Sequence, residues 1–149
     1  MSTTVATAPL TLEFLFRIDQ HGGPLAIVDA GGVQRVAMTV AKGTFCGPRL
    51  SGTKLDHLDS GEGVIGSGGV VHATFRQILR TDDGADIWMS GTTRIEITES
   101  RATAASAGII ECSDGRYAWL AGSLFAGEGG VDLASGSGQW DVYRVTHGR

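Results

Sequence analysis

The sequence predicts an all-β protein: a single closed or nearly closed antiparallel β-barrel of roughly eight to ten strands, with little helix. Apolar and polar residues alternate in several short segments, which is the period of a strand, and no segment keeps a helical period over about 12 residues. Glycine accounts for 23 of the 149 residues, about twice its usual share of roughly 7%. Because there are only 3 prolines, we expect these glycines in tight turns and strand kinks.

The N-terminal half contains the clearest alternation. Residues 1–9 are small and polar, and we expect them to form a flexible segment ahead of a single domain at 10–149. The first strand is predicted to place alternate apolar residues on one face, with Leu15 as the exception: Leu10, Leu12, Phe14, Phe16 and Ile18. Residues 21–24 predict a turn and 33–40 a second strand, whereas the glycine-rich segment 60–69 is either a loop or a weak hairpin.

The C-terminal half is predicted to continue the strands. Residues 70–81 form a long strand that ends in the hairpin turn Asp82-Asp83-Gly84. Further strands are predicted at 85–89, 92–98, 109–112, 117–125 and 140–145. The segment 101–107 is a loop or one helical turn. The glycine-rich segments 127–130 and 136–138 resemble phosphate-binding loops only in composition, so we expect plain hairpin loops there.

Composition limits the partners and the compartment. The net charge of −4 gives no basic face for nucleic acid, and no window approaches the roughly 20 apolar residues that span a membrane. The N-terminus lacks the features of a signal peptide, so we expect a cytoplasmic protein in which Cys46 and Cys112 are reduced, buried thiols. The four histidines show no metal-ligand spacing, and we expect neither a metal nor a cofactor.

Four motifs carry a resemblance to a known family. They are Gly43-Thr-Phe-Cys-Gly-Pro-Arg-Leu50, Arg80-Thr-Asp-Asp-Gly-Ala85, Arg116-Tyr-Ala-Trp-Leu-Ala-Gly-Ser-Leu-Phe125 and Asp141-Val-Tyr-Arg-Val145. In this order the motifs resemble the bacterial and fungal family called domain of unknown function 3237. The resemblance implies a closed antiparallel barrel of the calycin or allene-oxide-cyclase kind, often oligomeric, and implies no agreed activity. The chain departs from the family pattern at Cys46, Thr74 and Gln77.

The strand at 70–81 carries the main candidate site, because a barrel of about eight strands can enclose one small ligand. His72, Thr74 and Arg76 fall on one face, whereas Val71, Ala73, Phe75, Gln77 and Leu79 fall on the other, more apolar face. On the simplest interpretation the apolar face is core and the polar face is solvated. In the alternative interpretation the polar face lines a pocket, where His72 moves a proton and Arg76 holds a carboxylate or enolate oxygen.

Three further residues are predicted to bind substrate. Thr74 lies between the two candidate catalytic residues, His72 and Arg76, while Arg49 follows a proline at a corner and Trp119 could form a pocket wall. Each has a simpler alternative: Arg49 pairs with a surface acid, and Trp119 is a core or interface aromatic residue.

These observations lead to two expectations for function. The first is a cofactor-free isomerase, lyase or cyclase that acts on a small oxygenated organic molecule. The second is a non-catalytic barrel that binds a small ligand or serves as a structural oligomer, which an interior filled with apolar side chains would favour. We also expect a homo-oligomer, because an apolar surface and three tryptophans need to be covered.

Overall fold

The structure, a computed structural model, describes residues 9–56 and 58–147, so the N-terminal segment predicted to be flexible lies outside the described residues except for Pro9. The described part contains nine strands and two short 3₁₀ turns. The strands are β1 Leu10–Asp29, β2 Gln34–Cys46, β3 Ser51–Lys54, β4 Ser60–Ile65, β5 Val70–Thr81, β6 Asp86–Ile97, β7 Arg101–Glu111, β8 Ser123–Asp132 and β9 Ser137–His147; the turns are Ser67–Gly69 and Gly115–Tyr117. The all-β prediction is confirmed.

The strands form one antiparallel sheet that closes on itself. It runs β1-β9-β8-β7-β6-β5, and β2 returns to β1. Both β3 and β4 lie between β5 and β2: β3 pairs with residues 43–46 of β2, and β4 pairs with residues 35–38. The ring therefore has eight positions, one of which is occupied by two short strands in succession. The interruption between them, at residues 55–59, shapes the barrel interior.

A β-bulge in β1 corrects the predicted faces of the first strand. The pairing with β9 shifts between Phe14 and Phe16, and the buried side chains of Leu15 and Phe16 are 2% and 0% exposed. An extra residue in one strand reverses the alternation beyond it. Leu10, Leu12 and Phe14 consequently lie on the outside of the barrel, whereas Phe16 and Ile18 lie inside.

The structure also differs from the sequence predictions in other segments. Residues 21–24, predicted to form a turn, lie within β1, and residues 101–107 belong to β7. The hairpin alternative for 60–69 is confirmed, because β4 pairs with β5 across residues 66–69. The segment 117–125 is mostly a turn, because β8 begins only at Ser123, and the glycines at 127–130 lie within β8. The small residues at 101–107 and 127–130 predict loops rather than strands. They are tolerated within β7 and β8 because neighbouring strands supply hydrogen bonds to their backbones.

Two glycines show how the wall accommodates tight strand pairing. Gly91 in β6 lies opposite Gly108 in β7, and a Cβ atom on either would overlap a backbone carbonyl oxygen of the neighbouring strand. Neither position requires a left-handed conformation. These glycines are explained by the close approach of two backbones rather than by a turn.

The interior is packed in two clusters. The larger one surrounds the 3₁₀ turn at Gly115–Tyr117, where Tyr117 and Leu120 pack against Leu15, Phe16 and Leu79. The smaller one consists of Val36, Val71 and Ala73, with Met38, Ile65 and Ile95 against it. Within residues 9–56 and 58–147, no helix is long and apolar enough to cross a membrane.

Candidate functional site

The orientation of β5 decides which of its residues can line the interior. Val71, Ala73 and Leu79 are buried, whereas His72, Thr74 and Arg76 are exposed. The simpler interpretation of this strand, with its apolar face as core, is therefore confirmed. His72 and Thr74 lie on the outer face of the strand, whereas Arg76 is exposed and also contributes to the lining of a cavity in the barrel.

The outer face of β5 places its candidate residues among other exposed side chains. The guanidinium carbon of Arg76 lies 5.6 Å from the ring centre of Trp88, which is itself exposed. His72 lies opposite Arg94 of β6, and Thr74 lies opposite Thr92. The catalytic roles predicted for His72 and Arg76 stay predictions; His72 would require a site on the outside of the barrel, whereas Arg76 also lies at the inner cavity.

The structure brings Arg49 and Trp119 together, away from β5. The guanidinium carbon of Arg49 lies 3.5 Å from the Trp119 ring centre, and that of Arg144 lies 5.5 Å from it. Both arginines also reach Glu13, at 3.8 Å and 2.6 Å. The ring of Trp119 packs against the larger core cluster. Arg49 therefore pairs with a surface acid and Trp119 is a core aromatic residue, as the simpler alternatives predict. A substrate-binding role for either residue stays a prediction.

A cavity of about 120 Å³ lies inside the barrel between the two core clusters. Most of its wall is apolar and comes from strands all around the ring: Ile18, Met38, Phe75, Met89, Ile95, Phe125 and Val142. The lining residues with polar side chains include the predicted catalytic residue Arg76; they are Gln20, Lys54, Asp59, Ser60, Arg76, Gln77, Thr93, Ser106 and Trp140. The combination of an apolar wall with a few convergent polar groups is typical of a small-molecule site.

The strongest feature of this cavity is a buried ion pair. The Nζ atom of Lys54 lies 2.8 Å from Oδ2 of Asp59, and the two side chains are 3% and 6% exposed. Lys54 also donates a hydrogen bond of 3.3 Å to Oε1 of Gln20. Two of the three N–H donors of the ammonium are therefore accounted for by Asp59 and Gln20.

The interrupted strand position explains why these groups meet. Lys54 is the last residue of β3, and Asp59 immediately precedes β4. Because the chain leaves the sheet between them, both side chains turn inward at the same gap in the wall. Gln20 reaches the pair from β1. In the strand pairing, Gln20 lies opposite Gly43 of β2, and Gly43 in turn lies opposite Lys54 of β3.

Burial changes the protonation behaviour of the pair. Loss of hydration lowers the pKa of the Lys54 ammonium below its usual range, while the hydrogen bond and charge of Asp59 oppose part of that effect. Desolvation disfavours the charged form of an amine. A lysine that loses its proton more easily than usual, beside a carboxylate, can take part in proton transfer.

A second polar group in the cavity is the indole of Trp140. Its Nε1 atom is buried and has no hydrogen-bond partner among the described residues. An N–H donor buried without a partner costs about 1–3 kcal/mol. A bound oxygen atom that accepted this hydrogen bond would recover that cost.

Outside the cavity, an open groove of about 950 Å³ reaches Lys54 of the same ion pair. Asp19, His21 and Lys42 line it, and Gln20 and Lys54 line both the groove and the inner cavity. These two side chains therefore lie between the two spaces.

Sequence reasoning missed Lys54 and Asp59 because they lie where no periodicity is present. One signal was available: the chain has only two lysines, and Lys54 stands in a segment with apolar and small neighbours. Cys46 was expected to be buried and is exposed, because it is the last residue of β2; Cys112 is half-buried, and both thiols are free. In the described ranges, no three His, Cys, Asp or Glu side chains are grouped to hold a metal ion.

Several solved structures share this fold. A β-barrel-like protein from Acinetobacter baumannii is 21% identical, with 93% of this chain and 97% of that chain covered at a TM-score of 0.78. A conserved protein of unknown function from Rhodopseudomonas palustris is 18% identical, with 94% and 100% covered at 0.80. An enzyme from Penicillium herquei is 19% identical, with 98% and 100% covered at 0.68. At these identities the likeness shows the fold alone.

A comparison with curated protein sequences finds no relative of this chain. A family model does match, over residues 10–145, and its description is protein of unknown function (DUF3237). The match covers the nine-stranded barrel almost completely and confirms the resemblance carried by the four motifs. The chain therefore belongs to the DUF3237 family of β-barrel proteins.

Proposed function

We propose that the protein is a cofactor-free acid–base enzyme, an isomerase, lyase or cyclase, that acts on an oxygenated organic molecule inside the barrel. The observation that carries this proposal is the Lys54–Asp59 pair, whose side chains are at most 6% exposed and line the inner cavity. An acid and a base held in contact in a water-poor space can exchange protons with a bound molecule without a metal or cofactor.

Each group has a role that its chemistry allows. The Asp59 carboxylate accepts a proton from an acidic C–H or O–H group of the ligand. The Lys54 ammonium stabilises the negative charge that develops on the ligand oxygen. Trp140 donates a hydrogen bond to an oxygen atom from another part of the wall. Returning the proton to a different carbon gives an isomerisation, and returning it to a departing hydroxyl gives an elimination.

The cavity volume limits how much of the ligand it encloses. At about 120 Å³ it is smaller than the roughly 300–1,000 Å³ of typical ligand pockets. That space suits the reacting end of a molecule rather than a large substrate. The remainder would occupy the outer groove, which meets the cavity at Gln20 and Lys54.

Proton transfer can be measured without knowing the natural substrate. We would incubate the protein in D₂O with small ketones, enones and phenols and follow deuterium incorporation by NMR. Enzyme-dependent exchange next to a carbonyl supports the proposal, and its loss in Asp59→Asn would assign it to the pair. No exchange with any compound of this range, in a folded protein, would count against it.

A non-catalytic barrel that binds a small ligand is the second candidate. The observation that favours it is the cavity volume, which is below the roughly 300–1,000 Å³ of typical ligand pockets. His72 and Arg76 are exposed, as this candidate expects, but the interior is not filled by apolar side chains alone. A buried ion pair is costly to maintain, and this cost favours catalysis over passive binding.

We also propose that the barrel forms a homo-oligomer through an apolar band on its outside. The band crosses four adjacent strands, β1, β9, β8 and β7. Leu12 lies opposite Val145, Phe14 opposite Tyr143, and Ile109 opposite Leu124. Leu12 and Leu124 are 59% and 56% exposed. A contiguous apolar surface that can meet the same surface of a second copy suits a symmetric dimer.

A further inference from the structure

We propose that Lys54 captures small neutral aldehydes or ketones as an imine on its Nζ atom. This inference rests on the proposed function in one respect, since it requires a small oxygenated molecule to enter the inner cavity. It adds the class of substrate, a carbonyl compound, and a covalent intermediate on this chain.

The chain distinguishes its two lysines sharply. Lys42 is exposed on the outer groove, whereas Lys54 is 5% exposed and lines the inner cavity. A carbonyl compound that enters the cavity therefore meets a single primary amine there, held against Asp59 and Gln20. A desolvated lysine in an apolar pocket is the usual form of an amine nucleophile.

The pair supplies both the nucleophile and the proton carrier. Passing a proton from the ammonium to the Asp59 carboxylate, 2.8 Å away, leaves a neutral amine with a free electron pair. The nitrogen attacks the carbonyl carbon, the π electrons move to the oxygen, and Asp59 returns the proton to that oxygen. The product is a carbinolamine.

Loss of water completes the step. After the attack the carbinolamine nitrogen carries two protons; it gives one of them to Asp59, which passes it to the hydroxyl group, and the C–O bond breaks as the C=N bond forms. One ammonium and one carbonyl compound give one protonated imine and one water, so no oxidant or reductant is needed. Burial lowers the pKa of Lys54, which increases the fraction of neutral amine available.

The surroundings select the ligand. A negatively charged compound would be repelled by the Asp59 carboxylate, whereas a neutral one can place its alkyl group against Phe75, Met89 and Phe125. The small volume favours a carbonyl compound with few atoms. Gly127 keeps part of this space open: a Cβ atom there would lie 3.4 Å from the backbone oxygen of Asp141, an ordinary contact.

Reductive trapping tests the proposal directly. The folded protein would be treated at neutral pH with propanal and sodium cyanoborohydride, and the propyl groups would be located by peptide mass spectrometry. We expect Lys54 to be labelled at least about tenfold faster than Lys42, because an aldehyde bound in the cavity is held beside Lys54, whereas exposed Lys42 meets it only from solution. In urea the two lysines should be labelled equally. Lys42→Arg should leave the labelling of Lys54 unchanged, and Lys54→Arg should remove it.

Two controls test whether labelling occurs inside the cavity. A bulky aldehyde such as naphthaldehyde should label Lys42 only. Gly127→Val should slow the labelling of Lys54 several-fold in a folded protein, whereas Gly115→Ala, on an exposed turn with open space around it, should not. Equal labelling of both lysines in the folded protein, or labelling of Lys42 alone, would overturn the inference.

The outcome separates this inference from the proposed function. If Lys54 stays unlabelled while ketones still exchange deuterium in an Asp59-dependent manner, the imine is excluded and acid–base catalysis stands. If neither labelling nor exchange occurs in the folded protein, both proposals fail.

Discussion

The Nζ atom of Lys54 lies 2.8 Å from Oδ2 of Asp59 across the interruption between β3 and β4. In an unbroken strand at this position of the ring, the direction of each side chain would follow only from the alternation of residues along that strand. The interruption instead brings both charges to one gap in the wall, beside the inner cavity. The barrel thus encloses a proton donor and acceptor in contact, away from bulk water.

Breaking this pair should be costly. Lys54→Met leaves the Asp59 carboxylate buried without its cation, and we expect the free energy of unfolding to fall by about 3–5 kcal/mol. The double variant Lys54→Met/Asp59→Leu should recover most of that loss, because no uncompensated charge remains. Urea denaturation of the wild type and of the two variants measures both effects.

The matched control is an exposed ion pair of similar geometry. Arg80 and Asp86 lie 2.7 Å apart with side chains 50% and 56% exposed. Arg80→Met should destabilise the protein far less than Lys54→Met, because solvent already screens the pair. Equal losses for Arg80→Met and Lys54→Met would mean that burial does not set the energy of the inner pair.

The lowered pKa of Lys54 predicts a pH dependence of stability. Between the folded pKa and the unfolded value of 10.5, the unfolded chain binds more protons than the folded one. The free energy of unfolding therefore rises with pH across that range, by up to about 1.4 kcal/mol per pH unit. Relative to the double variant, which lacks both groups, the wild type should gain stability as the pH rises towards 10.5. A difference that stays flat or falls would contradict the prediction.

Substitutions on the outer face of β5 should have little effect on stability. His72→Ala and Arg76→Ala remove exposed side chains, and we expect each to change the free energy of unfolding by less than about 0.5 kcal/mol. Denaturation of the two variants checks this. A loss of 2 kcal/mol or more, on the order of a core substitution, would show that these residues are not simply solvated.

The outer apolar band should control self-association. Leu124→Glu places a charge in the centre of the band, so that two like charges would meet or be buried in a symmetric interface. We expect the variant to sediment as a monomer at micromolar concentration and the wild type as a dimer or larger. Leu133→Glu, an exposed leucine beyond the end of β8, is the control and should leave the association intact. A wild type that sediments as a monomer would contradict the proposed homo-oligomer.

Local patterns were sufficient to predict the fold. Alternation in β5, the turn at Asp82-Asp83-Gly84 and the spacing of the strands follow from neighbouring residues, and the structure confirms them. The bulge at Leu15 was visible only as an exception, because a single extra residue is defined by the partner strand and not by its own sequence.

The candidate site depended on information that local patterns lack. The faces of β5 were assigned to the right residues, yet which face lies inside depends on closure of the whole ring. The Lys54–Asp59 pair arises where two short strands share one position, and Gln20 joins it from a strand distant in the sequence. These contacts depend on the register of three strands. That register cannot be deduced from any single segment of the sequence.

The most direct test of the account compares inner and outer variants in one assay. Solvent deuterium incorporation into cyclopentanone would be measured by NMR for the wild type, Asp59→Asn and His72→Ala under identical conditions. We predict enzyme-dependent exchange that is at least about a hundredfold slower in Asp59→Asn, the low end of a general base's usual contribution, and unchanged in His72→Ala. Exchange that survives in a folded Asp59→Asn and disappears in His72→Ala would contradict it.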